Sequence, residues 1–164
     1  MEMTPPALHP KRASVSRRWA STVLLNGGAA LIVLGGIGDL LLVSPPELWS
    51  HGLGQPVGSL PPAVARLLMC LIHALGSALV ASGIALLFLI RGPLRRGERW
   101  TGAAIALVVV LADGMNALQI YLFGGSYFWV PLTFVGLVLL GLVLVHLPPP
   151  VFPAASQERG QDST

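Results

Sequence analysis

Four long apolar runs, separated by short polar or proline-rich stretches, dominate the pattern of hydrophobic and polar positions along the chain. The runs cover residues 20–43, 62–90, 100–123 and 127–147. A helix of about 20 apolar residues crosses the roughly 30 Å hydrocarbon core of a bilayer, so the pattern predicts four membrane-spanning helices. Short loops make neighbouring helices antiparallel. The predicted fold is therefore an all-α, up-down four-helix bundle with both chain ends on the same side.

Prolines and aromatic residues mark the boundaries of these runs. Residues 1–18 are polar and basic and include three prolines, and residues 148–164 begin with three more, so both segments are predicted to be disordered tails. Trp49, in the loop between the first two runs, is predicted to be an interfacial anchor. Tyr127–Trp129 open the fourth run and are predicted to form an aromatic belt.

Composition and charge support an integral membrane protein and give it an orientation. Charged residues make up 10% of the chain, against about 25% in an ordinary soluble domain, so they cannot cover a water-facing surface. Eight of the ten Lys and Arg residues lie before the first run or between the second and third. The positive-inside rule places both clusters, and both chain ends, in the cytoplasm. A basic face on a soluble fold is absent from this pattern, so no nucleic-acid partner is predicted.

Six polar side chains interrupt the apolar runs at the predicted midplane or in the outer half of the bilayer. An ionisable group within a membrane helix costs several kcal/mol unless it is paired or hydrated. Asp113 lies nearest the midplane, and the other five lie further out. The sequence therefore predicts a polar pocket that opens outward and narrows towards Asp113. The six residues are Asp39, Arg66, His73, Asp113, Asn116 and Gln119.

Acid–base chemistry is one use of such a pocket. A carboxyl group in a low-dielectric site can stay protonated at neutral pH and donate a proton, and a nearby histidine can accept one. The candidate catalytic residues are Asp113, His73 and Asp39. The candidate ligand-binding residues are Asn116, Gln119, Arg66, Tyr121 and Ser77.

These residues also have structural interpretations, which the sequence leaves open. Asp39 lies near a helix end, where it can be exposed at the interface, and Arg66 can reach lipid head groups. His73 can be a packed, neutral histidine bonded to a backbone carbonyl. Asn116 and Gln119 can hold helices together through hydrogen bonds.

Three functional hypotheses follow, and all involve the lipid bilayer. The first is a small membrane enzyme, such as an isomerase, cyclase or hydratase, that acts on a lipophilic substrate. The second is a non-catalytic binding protein, such as a quinone-associated subunit or a carrier. The third is a structural membrane subunit. No cofactor or metal site is predicted, because zinc needs more ligands than the pocket offers and the single Cys70 cannot form a CxxC pair.

Small residues repeat at every fourth position of the second run. Two adjacent stripes result, which predict a helix that packs on more than one side and offers faces for a homo-oligomer. One stripe is Ala74, Ala78 and Ser82, and the other is Ser77, Ala81 and Ala85.

Short glycine-containing motifs resemble those of the DoxX-like group of small bacterial membrane proteins. They are Gly35-Gly36 in the first run, His73-Ala-Leu-Gly76 in the second and Asp113-Gly114 in the third. The resemblance covers residues 20–147 and implies a four-helix bundle with a quinone or lipid ligand, but it assigns no catalytic residue. The frequent use of Ala, Gly, Leu, Val and Arg is typical of a GC-rich bacterium. We therefore expect the protein in a bacterial cytoplasmic membrane.

Overall fold

Four long helices make up most of the chain. The computed structural model describes residues 10–147, with side chains from residue 16 onward. The helices are α1 (Pro10–Leu41), α2 (Pro62–Arg91), α3 (Arg99–Leu122) and α4 (Trp129–His146). Each contains a segment that is long and apolar enough to cross a membrane. The predicted all-α four-helix bundle is confirmed.

Proline and glycine set the helix ends where the sequence expects them. Pro62 occupies the first position of α2, where its missing N–H costs nothing, and Pro93 prevents α2 from continuing. Gly124, just after α3, adopts a φ of 71°, which favours glycine. Leu147 ends α4 in an extended conformation, as a residue before proline prefers.

The start of α1 differs from the prediction. The helix begins at Pro10, so residues 10–18 are helical and are not part of a disordered tail. Proline is compatible with the first turn of a helix, and the residues that follow it contain no further proline or glycine until Gly27. The remaining predicted tail residues, 1–9 and 148–164, lie outside the described range.

The packing of the helices is uneven. α1 packs closely against both α2 and α4, whereas α3 packs more loosely against those two helices. Helices that are consecutive in the chain are therefore neighbours, and α1 and α3 lie diagonally across the bundle. The loose packing of α3 leaves space at the centre.

Glycines of α1 and α2 permit the closest helix contacts. A Cβ atom built on Gly28 would lie 2.6 Å from Cγ2 of Val138 in α4, and one built on Gly83 would lie 2.6 Å from Cγ2 of Val33 in α1. The predicted packing of α2 through its two small-residue stripes is wrong within this chain. Five of the six stripe residues are exposed and Ser82 is half-buried, because α2 turns Gly76 and Gly83 towards α1 instead.

The hydrophobic core fills one half of the bundle. Residues of all four helices form this core. It fills the half of the bundle that contains the start of α1 and the α2–α3 connection. Ile32 of α1 and Leu79 of α2 are the core residues of these two helices that lie nearest the other half of the bundle. The core residues are Leu25, Ala29, Ile32, Leu79, Leu86, Ile90, Ile105, Val109, Val135, Val138 and Leu142.

The α1–α2 loop covers the other half, which we call the loop end. The loop contains two short 3-10 turns (Glu47–Trp49 and Val57–Ser59) and a single helical turn (Ser50–Leu53). Gly52 lies against Phe123, the residue that follows α3, and a Cβ atom on Gly52 would be 2.8 Å from the Phe123 carbonyl oxygen. The loop therefore folds back over the bundle.

Candidate functional site

A turn of π-helix places Asp113 within the bundle. Residues Val110–Gly114 of α3 form this turn, in which the Met115 N–H reaches back five residues to the Val110 carbonyl. π-helical turns inside α-helices are frequent at functional sites. Asp113 lies about 4 Å from the middle of α3 towards the loop end, at 1.5 Å per residue. Asp113 therefore lies next to the hydrophobic core, on the side of the loop end.

One oxygen of the Asp113 carboxyl group is buried without a partner among the described residues. The residue is 2% exposed, and its Oδ2 atom has no hydrogen-bond partner among the described residues. Burial of a polar group without a hydrogen bond costs on the order of 1–3 kcal/mol, and an unpaired charge costs more. Packing alone gives no reason for an acid at this position.

Asp113 lines a cavity at the centre of the bundle, which we call the central cavity. Its volume is about 250 Å³, and residues of all four helices and of both connections at the loop end line it. Ile32 and Leu79 separate it from the core. The lining residues that carry polar groups are Asp39, Trp49, Asp113, Asn116 and Tyr127.

Tyr127 brings a phenol to this cavity from the α3–α4 connection. Burial raises the pKa of the Tyr127 phenol, the nearby Trp49 side chain opposes that rise, and the negative charge of Asp39 adds to it. The three side chains are therefore close neighbours. At physiological pH the phenol is neutral and can donate a hydrogen bond.

A larger apolar groove lies between α2 and α3 and adjoins the central cavity. Its volume is about 740 Å³. Leu71, Leu111 and Met115 line it and are 56%, 58% and 46% exposed, so the groove faces outward from the bundle. The residues that line both spaces are Leu48, Trp49, Ile72, Leu75, Asn116, Ile120 and Tyr127. We call this space the lateral groove.

The charged side chains that line the central cavity and the lateral groove are all acidic. Asp39 and Asp113 line the central cavity, and no Lys, Arg or His within residues 16–147 lines either space. In the described part of the chain, no group of three His, Cys, Asp or Glu side chains is placed to hold a metal ion.

The structure brings together three of the residues predicted for the pocket. Asp39, Asp113 and Asn116 line the central cavity, although they come from helices that lie diagonally opposite each other. Gln119 lines only the lateral groove. Along a helix each step of three residues rotates the side chain by about 60°, so two steps turn Gln119 away from Asp113 and towards α2.

His73 does not reach the central cavity or the lateral groove. Its Nε2 atom lies 3.1 Å from the carbonyl oxygen of Leu42, and Leu42 is the residue that follows α1. Carbonyls at a helix C-terminus have no intrahelical partner, and the histidine N–H supplies one. This contact is the packed arrangement that the sequence left open as the alternative to catalysis.

The three other predicted ligand-binding residues also lie outside both linings. Arg66 is exposed, and its Nε donates to the Pro62 carbonyl oxygen 3.3 Å away. Ser77 Oγ donates to the carbonyl of the residue four positions earlier, 2.8 Å away. Tyr121 is 61% exposed and packs edge-on against Phe128, with ring centroids 5.4 Å apart. Each of these side chains is directed to its own helix or to the surface.

Two residues of the site have a different role in the sequence-based prediction. The sequence predicts that Trp49 is an interfacial anchor and that Tyr127 is part of an aromatic belt, and the structure shows that both line the central cavity and the lateral groove. An aromatic residue next to an apolar run looks the same in either role. Only the fold of the α1–α2 loop distinguishes them.

Comparisons of this chain with protein families, with curated proteins and with solved structures give no match.

Proposed function

We propose that this protein is a multi-pass membrane protein that binds a small lipophilic molecule in the central cavity, with the lateral groove as its entrance from the bilayer. The single observation that carries the proposal is the Asp113 carboxyl group, which lines the cavity, is 2% exposed and has no partner for Oδ2 among the described residues. A polar or positively charged ligand group in the cavity would stabilise this carboxyl group.

Charge and exposure support the membrane setting. The two basic clusters lie at the end of the bundle opposite the loop end, which indicates that this end is cytoplasmic and the loop end external. Large apolar side chains such as Leu34, Phe88 and Leu107 are 61%, 74% and 60% exposed on the outside of the bundle, where lipid would cover them. We place the protein in a bacterial cytoplasmic membrane. The exposed small residues of α2 would allow self-association there.

The sizes of the two spaces favour an elongated ligand. Sites for drug-sized molecules have volumes of about 300–1,000 Å³ and are mostly apolar with a few polar groups. The central cavity, at about 250 Å³, is large enough for a polar head group but small for a whole lipophilic molecule. The lateral groove, at about 740 Å³, is large enough for the apolar remainder. Asn116 lines both spaces and would contact the ligand where its polar head group joins its apolar part.

A purely structural role for the polar side chains is less well supported. Interhelical polar contacts stabilise membrane bundles because each group finds a partner on a neighbouring helix. Asp113 Oδ2 has none, and the Asn116 side chain forms no hydrogen bond with any residue of the described range. These groups therefore contribute little to holding the helices together.

Acid–base catalysis on the bound molecule is the second candidate. The observation that favours it is that two carboxyl groups, Asp39 and Asp113, line one cavity, so that one could donate a proton and the other accept one. Binding is the better supported function, because His73, the predicted base, contacts Leu42 instead. Mass change of the retained molecule during incubation with the purified protein would demonstrate turnover.

Native mass spectrometry of the purified protein tests the proposal. Wild type should retain a lipophilic molecule, and Asp113→Asn, which keeps the shape of the side chain, should lose it. Glu98→Gln is the matched control, because Glu98 is an acid at the opposite end of the bundle that accepts a hydrogen bond from Trp100. If wild type and both variants retain the same molecule equally, or if none retains any, the central cavity is not its binding site.

A further inference from the structure

We infer that the ligand is a lipophilic cation, in which a protonated or quaternary amine is attached to an apolar chain. This inference depends on the proposed function, since it assigns a charge to the molecule that the central cavity binds. It depends on the charges, the burial and the aromatic side chains of the cavity.

The first argument is the absence of a protein counter-charge. Asp39 and Asp113 both line the central cavity, and no basic side chain within residues 16–147 lines it. The two basic groups of α2 nearest the loop end have other contacts: Arg66 bonds to the Pro62 carbonyl, and His73 bonds to the Leu42 carbonyl. A cationic ligand would supply the positive charge that residues 16–147 do not.

The second argument is the burial of Asp113. Buried carboxylates in proteins are ordinarily paired and hydrogen-bonded, because an isolated one is strongly destabilising. Oδ2 of Asp113 is inaccessible to solvent and has no partner in the described chain. An ammonium group in the central cavity, which Asp113 lines, would supply the opposite charge.

The third argument is the aromatic content of the lining. Trp49, Tyr127 and Phe134 all line the central cavity. Aromatic faces attract cations, and clusters of such residues bind quaternary ammonium groups, which form no hydrogen bonds. Both a protonated and a quaternary amine therefore fit the lining.

The same features exclude a ligand with a negatively charged head group. An anionic head group such as a carboxylate or phosphate would meet Asp39 and Asp113, and no basic side chain of the described range lines the cavity to offset the repulsion. The lateral groove, whose lining is mainly leucine, isoleucine and other apolar residues, would hold the hydrocarbon chain of any of these molecules equally well. The head group would therefore decide which molecule binds.

Three ligands with the same dodecyl chain test the inference: dodecyltrimethylammonium, dodecanol and dodecanoate. The full chain in phosphatidylcholine nanodiscs is titrated with each by calorimetry, and nanodiscs without protein provide the background. Dodecyltrimethylammonium should bind at least about tenfold more tightly than dodecanol, and dodecanoate should bind weakest. Asp113→Asn should remove this preference, and Glu98→Gln should keep it.

The outcomes separate the two proposals. If dodecanol binds wild type as tightly as the ammonium ligand, or Asp113→Asn keeps the preference, the cation inference is wrong and the cavity remains a ligand site. If no ligand binds above background and native mass spectrometry finds none retained, both proposals are wrong. Should Asp113→Asn fail to fold, Asp39→Asn serves as the second variant and should reduce the preference at least about threefold.

Discussion

Gly36 of α1 and Gly76 of α2 face each other at a helix crossing that has no room for a side chain. A Cβ atom on Gly36 would lie 2.5 Å from the Gly76 carbonyl oxygen, and one on Gly76 would lie 2.7 Å from the Gly36 carbonyl oxygen. Both obstacles are backbone atoms, which cannot move aside as a flexible side chain can. The contact fixes α1 against α2 next to Gly35 and Asp39, which line the central cavity.

Gly36→Ala should therefore destabilise the protein by about 1–3 kcal/mol, the usual cost of overpacking a well-packed contact. Gly38→Ala is the control, since a Cβ atom at that position would have no described neighbour within 4 Å beyond its own stretch of helix. It should leave stability unchanged or raise it slightly. Thermal unfolding in detergent, followed by circular dichroism, measures the difference. Equal unfolding temperatures for the two variants would show that the helices do not cross at Gly36.

His73→Ala should reduce stability by about 1 kcal/mol and leave ligand retention intact. The substitution removes the hydrogen bond to the Leu42 carbonyl but no residue that lines the central cavity or the lateral groove. Ser77→Ala is the comparison, because Ser77 bonds only within its own helix and its loss should change stability by less than about 0.5 kcal/mol. Loss of the retained molecule from a fully stable His73→Ala protein would restore His73 as a functional residue.

Asp113→Asn should not destabilise the ligand-free protein. Oδ2 has no hydrogen-bond partner to lose, and the substitution replaces a buried acid with a neutral side chain of the same shape. Stability should stay within about 0.5 kcal/mol of wild type or increase. Chemical unfolding after removal of bound lipid checks this. A fall of several kcal/mol, or loss of the helical bundle, would mean that Asp113 holds the helices together.

Cysteine labelling of intact cells should report the orientation of the bundle. In a Cys70→Ala background, Gln55→Cys lies in the exposed α1–α2 loop and Glu98→Cys lies in the α2–α3 connection. A membrane-impermeant maleimide should label Gln55→Cys in intact cells and Glu98→Cys only after permeabilisation, as the basic clusters predict. The reverse pattern would place the central cavity near the cytoplasmic surface.

Apart from the start of α1, the sequence predicts the ends of the four helices well, because these boundaries have local causes. Pro62 opens α2, Pro93 closes it and Gly124 follows α3, and each acts through its own backbone geometry. Asp113 and Asn116 both line the central cavity, and the i, i+3 spacing explains how they share one broad face of the helix.

Helix rotation was not predictable in the same way. α2 is apolar on nearly every side, so the sequence contains no polar face that fixes its orientation. Ile72 lines the central cavity and His73, the next residue, does not. A rotation of about 100° per residue separates the two, and it follows from the contacts of Gly76 and Gly83 with α1.

The π-helical turn in α3 and the position of the α1–α2 loop were also not predictable from local sequence. Val110–Gly114 contains no residue pattern that requires a π-helix. Trp49 reaches the central cavity because the α1–α2 loop folds back over the bundle, where Gly52 packs against Phe123. Contacts between segments far apart in sequence determine this arrangement, and local patterns do not contain them.

The most direct test of ligand binding in the central cavity is to fill the cavity and measure what remains bound. Gly35 lines it, and Gly38 lies in open space three residues further along the same helix. Native mass spectrometry of Gly35→Leu and Gly38→Leu would compare the lipophilic molecule that each retains. We predict that Gly35→Leu loses the molecule while Gly38→Leu retains it at the wild-type level. Equal retention by a folded Gly35→Leu protein would contradict the proposal, because the molecule would then bind elsewhere.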